Sequence, residues 1–384
     1  MLGHLATPAR LIHGLWIFSP YDAPMTRIVA VRGVLPPQQY EQGEITRAFA
    51  DLCLAPERDR GVLERVHAAA QVERRHLALP LERYPELSGF GQSNDAFIEV
   101  ALRLGEEAVT GVLEQSGLRA EDIDLVVFTS VTGIAAPSIE ARLAGPLGLR
   151  PDVKRVPVFG LGCVAGAAGI ARLHDYLHGH PDQVALLLSV ELCSLTLQRA
   201  DASPQNLVAG ALFGDGAAAL LAVGRDHPAA TGADPAAVAP GPTVVDTRSR
   251  LYPGTERMLG WEIGDNGFRI VLGADLPELV RSGLGEEVRA FLADHDLKTQ
   301  DVTAWVCHPG GPRVLDAVRE TLELPARALE LTWRSLADVG NLSSASVLHV
   351  LRDTLALQPP PPGTPGVLLA MGPGFSTELV LLRW

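Results

Sequence analysis

The chain has 384 residues, 47% of them apolar and 20% charged, with a formal net charge of −13. That length and apolar content suit two core-sized units and leave little room for disorder. The acidic balance provides no global positive field for nucleic acid, and no apolar run reaches the roughly 18 residues of a membrane helix. The cysteines Cys53, Cys163, Cys193 and Cys307 form no Cys-x-x-Cys pair. They match neither a zinc ribbon nor a disulfide scaffold, and a reducing cytoplasm fits them best.

In chain order, residues 1–24 read as an N-terminal extension without fixed order, and Met25 is a candidate start. Its apolar patch from Leu11 to Phe18 is broken by His13 and Gly14, and no signal-type cleavage site follows. Residues 25–230 and 231–384 then read as two related halves. Gly105-Glu106-Glu107 opens a helical stretch that leads to Asp122 and the run Ile123 to Phe128. Gly285-Glu286-Glu287 does the same, leading to Asp301 and the run Val302 to Cys307. The offset is 180 at the glycines and 179 at the aspartates, and Gly162-Cys163 repeats as Gly340-Asn341 at 178. So regular an offset indicates duplication. Each half alternates short apolar runs with helical patterns, as strand–helix–strand units with parallel pairing do. Val184 to Val190 and Val367 to Met371 are continuously apolar, as strands covered on both faces are. Pro228 to Pro242 reads as the connector, and Gln358 to Gly366 as a loop before the last strands.

Three polar residues fall at equivalent or adjacent strand ends of this repeat: Cys163, His308 and Asn341. Cys163 follows Gly160 and Gly162 and opens a small-residue helix, whose positive dipole end lowers a thiol pKa and makes a nucleophile. His308 ends the run Ala304 to Cys307 and precedes a Pro-Gly-Gly-Pro turn, where ligands of α/β sheets collect. Cys307 is adjacent and therefore points to the opposite face. Alone, Cys163 reads equally well as a gap-filling core cysteine, His308 as a core-edge histidine and Asn341 as a helix N-cap. Together they indicate a shared site. Gly160-Leu161-Gly162 lacks the third glycine of a dinucleotide fingerprint, and the hydrolase elbow and papain-type patterns are absent. His174 and His178 have a metal-compatible spacing but no obvious carboxylate partner, so no metal site is assigned.

At these residues the sequence resembles the type III polyketide synthases, the chalcone-synthase-like branch of the thiolase superfamily. The resemblance spans about Met25 to Trp384. It is carried by Gly162-Cys163-Val164-Ala165-Gly166, Cys307-His308-Pro309-Gly310-Gly311-Pro312 and Gly340-Asn341-Leu342-Ser343-Ser344. Leu212-Phe213-Gly214-Asp215 resembles the family's gatekeeper segment. Gly372-Pro373-Gly374-Phe375 resembles its C-terminal loop, with Ala370 and Met371 in place of the first two residues.

The resemblance implies an α/β thiolase fold, two duplicated βαβαβαββ halves stacked in five layers, α-β-α-β-α. It implies an acyltransferase that loads an acyl-CoA starter on Cys163, extends it by decarboxylative condensation with malonyl-CoA and cyclises the product. Coenzyme A thioesters serve as substrates, and no cofactor or metal is implied. His308 would pair with the Cys163 thiolate and, with Asn341, stabilise the thioester oxygen. Phe213 and Phe268 match the gatekeepers. Cys193, Thr196, Leu259 and Gly260 match pocket positions, and Gly372, Pro373 and Gly374 the cyclisation loop. Ala136 matches a residue that reaches a neighbouring subunit's cavity in homodimers. Arg65, Gly310, Gly311 and Arg313 correspond to coenzyme A contacts. Val62 and Ala69 stand where lysines are expected, and Arg74 and Arg75 are candidate substitutes. Cys193 and the segment Met258 to Trp261 favour a fatty acyl starter and an alkylpyrone or alkylresorcinol product. The alternatives are a carrier-protein synthase of the initiating type, a non-catalytic acyl-CoA binder and a thioester hydrolase.

Overall fold

The computed structural model describes residues 9–12, 15–18, 26–54, 60–199, 201–231 and 241–384. Two short strands, β1 (Ala9–Ile12) and β2 (Leu15–Phe18), pair antiparallel. The rest of the N-terminal extension lies outside the described residues, as does most of the connector between the halves.

The first half runs β3 (Thr26–Val34), β4 (Gln38–Glu41), α1 (Gln42–Cys53), α2 (Arg60–Ala69), β5 (Arg74–Leu77), α3 (Phe90–Ser116) and β6 (Leu125–Thr129). It continues through α4 (Ile139–Leu147), β7 (Lys154–Val158), α5 (Ala165–Gly179), β8 (Val184–Leu192), α6 (Pro204–Leu212), β9 (Asp215–Val223) and α7 (Pro228–Thr231). The second half runs β10 (Thr243–Leu251), β11 (Leu259–Gly264), β12 (Gly267–Leu272), α8 (Leu276–Ala293) and β13 (Ala304–Cys307). It ends with α9 (Pro312–Thr321), α10 (Glu330–Val339), α11 (Ser346–Leu357), β14 (Pro365–Gly372) and β15 (Ser376–Arg383).

The duplication is visible in the pairing. One half-sheet is ordered β3-β9-β8-β6-β7 and the other β10-β15-β14-β13, and the two meet where Thr243 pairs with Arg27. The equivalent steps β8–β6 and β14–β13 are parallel, while β3–β9–β8 and β10–β15–β14 are antiparallel. The expectation of parallel pairing is thus corrected to a mixed sheet. Only strands joined through a crossover helix run parallel, and the short link Pro373–Phe375 allows β14 and β15 to pair as a hairpin.

Alternating side chains build the layers. In β8, Leu186, Leu188 and Val190 pack on α3, while Ala185 and Leu187 pack on α5. In β14, Val367 and Leu369 face α8 and α9, while Leu368 and Ala370 face α11. The result is five layers: α3 and α4, the first half-sheet, α5 with α11, the second half-sheet, then α8 with α9. A strand buried on both faces must be apolar throughout, which explains the continuous runs in β8 and β14. Strand β7 is the exception, for it is an exposed edge. Among the described residues no helix is long and apolar enough to cross a membrane.

Candidate active site

The central helices α5 and α11 each begin after a tight turn, Gly162–Val164 before α5 and Ser343–Ala345 before α11. The two turns lie against each other. A Cβ on Gly166 would overlap the Ser344 carbonyl oxygen, so only glycine lets the turns approach this closely. Gly162 has φ +56°, and a Cβ there would sit 2.7 Å from Pro373 Cδ. The loop Gly372-Pro373-Gly374 is therefore packed directly on the cysteine turn.

This packing brings Cys163 and Asn341 together. The Cys163 thiol lies 3.7 Å from Ser343 Oγ and donates to it, and the Asn341 side chain also hydrogen-bonds the sulfur. Asn341 Oδ1 accepts from Ser343 N at 2.8 Å, which aims the amide NH₂ at the sulfur. Its backbone is held in turn: Asn341 N donates to Leu212 O at 2.8 Å, and Gly214 N donates to Asn341 O at 3.0 Å. Phe213 thus forms a β-bridge with Asn341, so the phenylalanine and the amide share one backbone unit.

His308 follows β13, its backbone N–H donating to Leu369 O at 2.8 Å. Its ring is 1% exposed, and neither Nδ1 nor Nε2 has a hydrogen-bond partner among the described residues. A buried imidazole without partners is rare and is available to a ligand. Burial pushes it down to about 3 and leaves it neutral.

The expectation of an acidic thiol is overturned. Burial pushes Cys163 up to about 12, assisted by the nearby Glu191 carboxylate, against the hydrogen bonds from Ser343 and Asn341. The helix N-terminus does not outweigh desolvation in so closed a site. Nor is the expected contact between His308 and the sulfur present in the free enzyme. Cys307 is a core thiol, donating to its neighbour's carbonyl.

Glu191 was missed by sequence reasoning. It lies one residue before the end of β8, fully buried, and accepts from Val131 N at 3.1 Å, Thr132 Oγ1 at 2.9 Å and Ser344 Oγ at 2.6 Å. It thereby ties the first half-sheet to the asparagine turn. A lone carboxylate inside the apolar run Val184 to Leu192 was the available signal.

The pocket residues divide among three cavities. Cys193, Thr196, Phe213 and Trp261 line a small one of about 70 Å³, together with Arg75 and Tyr84. Phe268, Thr196 and Thr132 line a second of about 490 Å³. Phe268 packs edge-on against Phe90, with centroids 5.4 Å apart, in a cluster with Phe159 and Trp261. Leu259 and Gly260 lie on β11 beside Trp261 and are not in these walls. The third, about 410 Å³, is lined by Ala69, Leu212, Gly310, Gly311 and Arg313. Arg65 is exposed on α2 but outside that wall. Arg74 and Arg75 do not substitute for lysines there: Arg74 pairs with Asp338, and Arg75 is buried beside Phe213. Ala136 is exposed on the loop after β6. His174 bonds Thr26 Oγ1 at 3.0 Å inside the core.

Known proteins agree with this architecture. The chalcone and stilbene synthase N-terminal domain family matches residues 22–227, and the corresponding C-terminal domain family residues 243–384. The chain is 60% identical to a 1,3,6,8-tetrahydroxynaphthalene synthase of Streptomyces peucetius subsp. caesius, covering 94% of this chain and 93% of the relative. It is 30% identical to the alpha-pyrone synthesis polyketide synthase-like Pks18 of Mycobacterium tuberculosis, covering 94% and 92%. The crystal structure of the tetrahydroxynaphthalene synthase of Streptomyces coelicolor superposes with a TM-score of 0.86 at 27% identity, covering 93% of this chain and 99% of that one. With its duplicated sheets and its buried Cys163, His308 and Asn341, the chain belongs to the chalcone and stilbene synthase family and is a type III polyketide synthase.

Proposed function

We propose that the enzyme condenses malonyl-CoA units into a polyhydroxynaphthalene of the 1,3,6,8-tetrahydroxynaphthalene class, with malonyl-CoA serving as starter and extender. The 60% identity to a synthase of that product, over 94% of the chain, carries this reading. The product's own chemistry supports the starter. All ten of its carbons are ring carbons, which corresponds to five two-carbon units with no methyl left over. The far end of the chain must then supply a ring carbon; a methylene flanked by a ketone and the starter's retained carboxylate is acidic enough to do so, and that carboxylate is then lost as CO₂ to leave ten carbons.

In this reading the Cys163 thiolate attacks the starter thioester, the C–S bond to coenzyme A breaks, and an acyl-Cys163 remains. A second malonyl-CoA loses CO₂, and the electron pair stays on the acetyl-CoA fragment as an enolate. His308 Nε2–H and the Asn341 amide donate to that enolate oxygen. The enolate carbon bonds to the acyl carbonyl carbon and Cys163 is released as the thiolate. An amide suits Asn341 because it stabilises the enolate without an acidic proton to quench it. The cleft at Gly310, Gly311 and Arg313 receives the coenzyme A arm, and no cofactor is required. A second reading, an alkylpyrone from a fatty acyl starter, is favoured by the 30% identity to Pks18 and the apolar cavity residues Phe49, Leu52 and Leu81. The small volume beside Phe213 favours a short polar chain end instead.

The purified enzyme given malonyl-CoA alone is expected to form the naphthalene, read by mass spectrometry as a ten-carbon tetrahydroxy product. Product only upon addition of a long-chain acyl-CoA would replace this reading with the alkylpyrone one.

The enzyme acts as a homodimer in this proposal. Strand β7 is an unpaired edge, and Val156 (44% exposed), Phe159 (46%) and Ile134 (48%) make an apolar patch beside it and the Ala136 loop. Lys154, Arg155 and Pro157 oppose strand addition at this edge, so the apolar side chains rather than the strand backbone are the surface that a second copy covers. Val156→Asp is expected to convert the dimer to monomer in light scattering at micromolar concentration. An unchanged mass would discard this interface.

A further inference from the structure

Arg75 sits on β5 with 2% of its surface exposed. Its Nε donates to Gln42 Oε1 at 3.0 Å and its Nη1 to the Phe213 carbonyl at 2.7 Å. Its Nη2 is buried and has no partner among the described residues. The guanidinium lines the Phe213 cavity, where Tyr84, Ser194 and Cys193 are neighbouring polar groups. Asp215 is the nearby carboxylate, but it accepts instead from Ala78 N at 2.5 Å, from Ser194 N at 2.8 Å and from Ser194 Oγ. Arg75 is in no salt bridge among the described residues and Asp215 reaches it only through space, so a guanidinium is buried in a cavity wall with its Nη2 amino group unused. Such a charge is costly to bury unless something pairs with it.

The cavity is also close to the chemistry. Cys193 in its wall lies within electrostatic reach of both Cys163 and Arg75. Phe213 carries Arg75 on its carbonyl and Asn341 on its β-bridge. A Cβ on Gly340 would meet Arg75 Cγ at 3.1 Å, so the guanidinium stem packs directly on the asparagine turn.

We infer that Arg75 is a carboxylate receptor that selects starters bearing a distal carboxylate, its Nη2 donating to that carboxylate within the Phe213 cavity. The inference rests on the malonyl-primed reading above and names the group that would enforce it. A distal carboxylate neutralises the buried charge and completes the guanidinium's hydrogen bonds, whereas an alkyl end leaves both unmet. Discrimination by an unmet polar group is stronger than discrimination by shape in an apolar pocket.

The test compares chain-matched starters, glutaryl-CoA and valeryl-CoA, each extended with malonyl-CoA, by their ratio of kcat/KM. The wild type should favour the diacid starter by about tenfold or more. Arg75→Gln should lower that ratio at least about tenfold, and Arg75→Lys, which keeps the charge but loses the fork that also holds Gln42 and the Phe213 carbonyl, should restore only part of it. A residue that only braces the Phe213 segment would slow both starters alike, so an unchanged ratio in Arg75→Gln overturns the inference. If that variant does not fold, a wild-type ratio of one or less overturns it equally. Malonyl-CoA supplied alone reports separately on the pentaketide reading. A wild type that makes no naphthalene yet prefers glutaryl-CoA discards the reading and keeps the receptor. Naphthalene formation with an unaltered ratio in Arg75→Gln does the opposite.

Discussion

Cys163→Ala is expected to lower product formation by at least about 10³-fold and to abolish the covalent acyl-enzyme. The expectation follows from position. Cys163 is the one thiol that hydrogen-bonds both Ser343 and Asn341, at the turn against which the asparagine loop and Pro373 are packed. Cys53, Cys193 and Cys307 are also buried, but Cys307 lies in the core against α8 and α9 and Cys53 in a separate cluster with Phe49 and Leu63. Losing one sulfur from this site should cost only about 1 kcal/mol of stability, so the variant should fold. Intact-protein mass spectrometry after brief exposure to malonyl-CoA provides the check. An adduct that persists in Cys163→Ala, or that moves to Cys193, would remove Cys163 from its role.

For His308→Gln a loss of about 10²- to 10³-fold in kcat is expected, the usual effect of removing one donor to a developing oxyanion. A second effect distinguishes proton transfer from simple donation. Burial pushes the Cys163 thiol up to about 12 and the His308 imidazole down to about 3, so each group by itself is neutral at pH 7. The His308 ring, which makes no hydrogen bond to the sulfur here, is expected to reach it by side-chain motion, so that a thiolate–imidazolium pair offsets part of each group's desolvation. Without His308 the thiol keeps its raised value, and thiolate becomes available only as pH rises. Cys163 alkylation by iodoacetamide in His308→Gln should therefore climb about tenfold per pH unit through the alkaline range. The wild-type profile should lie more than one unit to the acid side. Superimposable profiles would show that Asn341 and Ser343 suffice, leaving His308 as an oxyanion donor only.

The three residues proposed to carry the chemistry were legible as candidates because they sit in short motifs with little freedom. Cys163, His308 and Asn341 each follow a strand or helix end in a glycine-containing turn, and such turns constrain both composition and position. The duplication was legible for a similar reason. Strands β6 and β13 lie 179 residues apart with the same apolar pattern, and the half-sheets they join have the same order. Antiparallel steps were not legible, since an apolar strand buried on both faces reads alike whichever way its neighbour runs.

Long-range electrostatics was also hidden. The thiol of Cys163 was expected to be acidic from its place at a helix N-terminus, a local property of the chain. Its burial comes from packing two halves of the duplication together, and desolvation then reverses the direction of the shift. Arg75 shows the same division. Arg74 and Arg75 are neighbours in sequence, but the alternation of β5 leaves Arg74 at the surface with Asp338 and drives Arg75 into the cavity wall. The sequence alone was enough for the family and the fold, and it named the three polar residues proposed to react, because each is written in local patterns of spacing and polarity. The protonation of those groups and the charge in the cavity wall depend on which surfaces are buried against each other, and that is set only when distant segments pack.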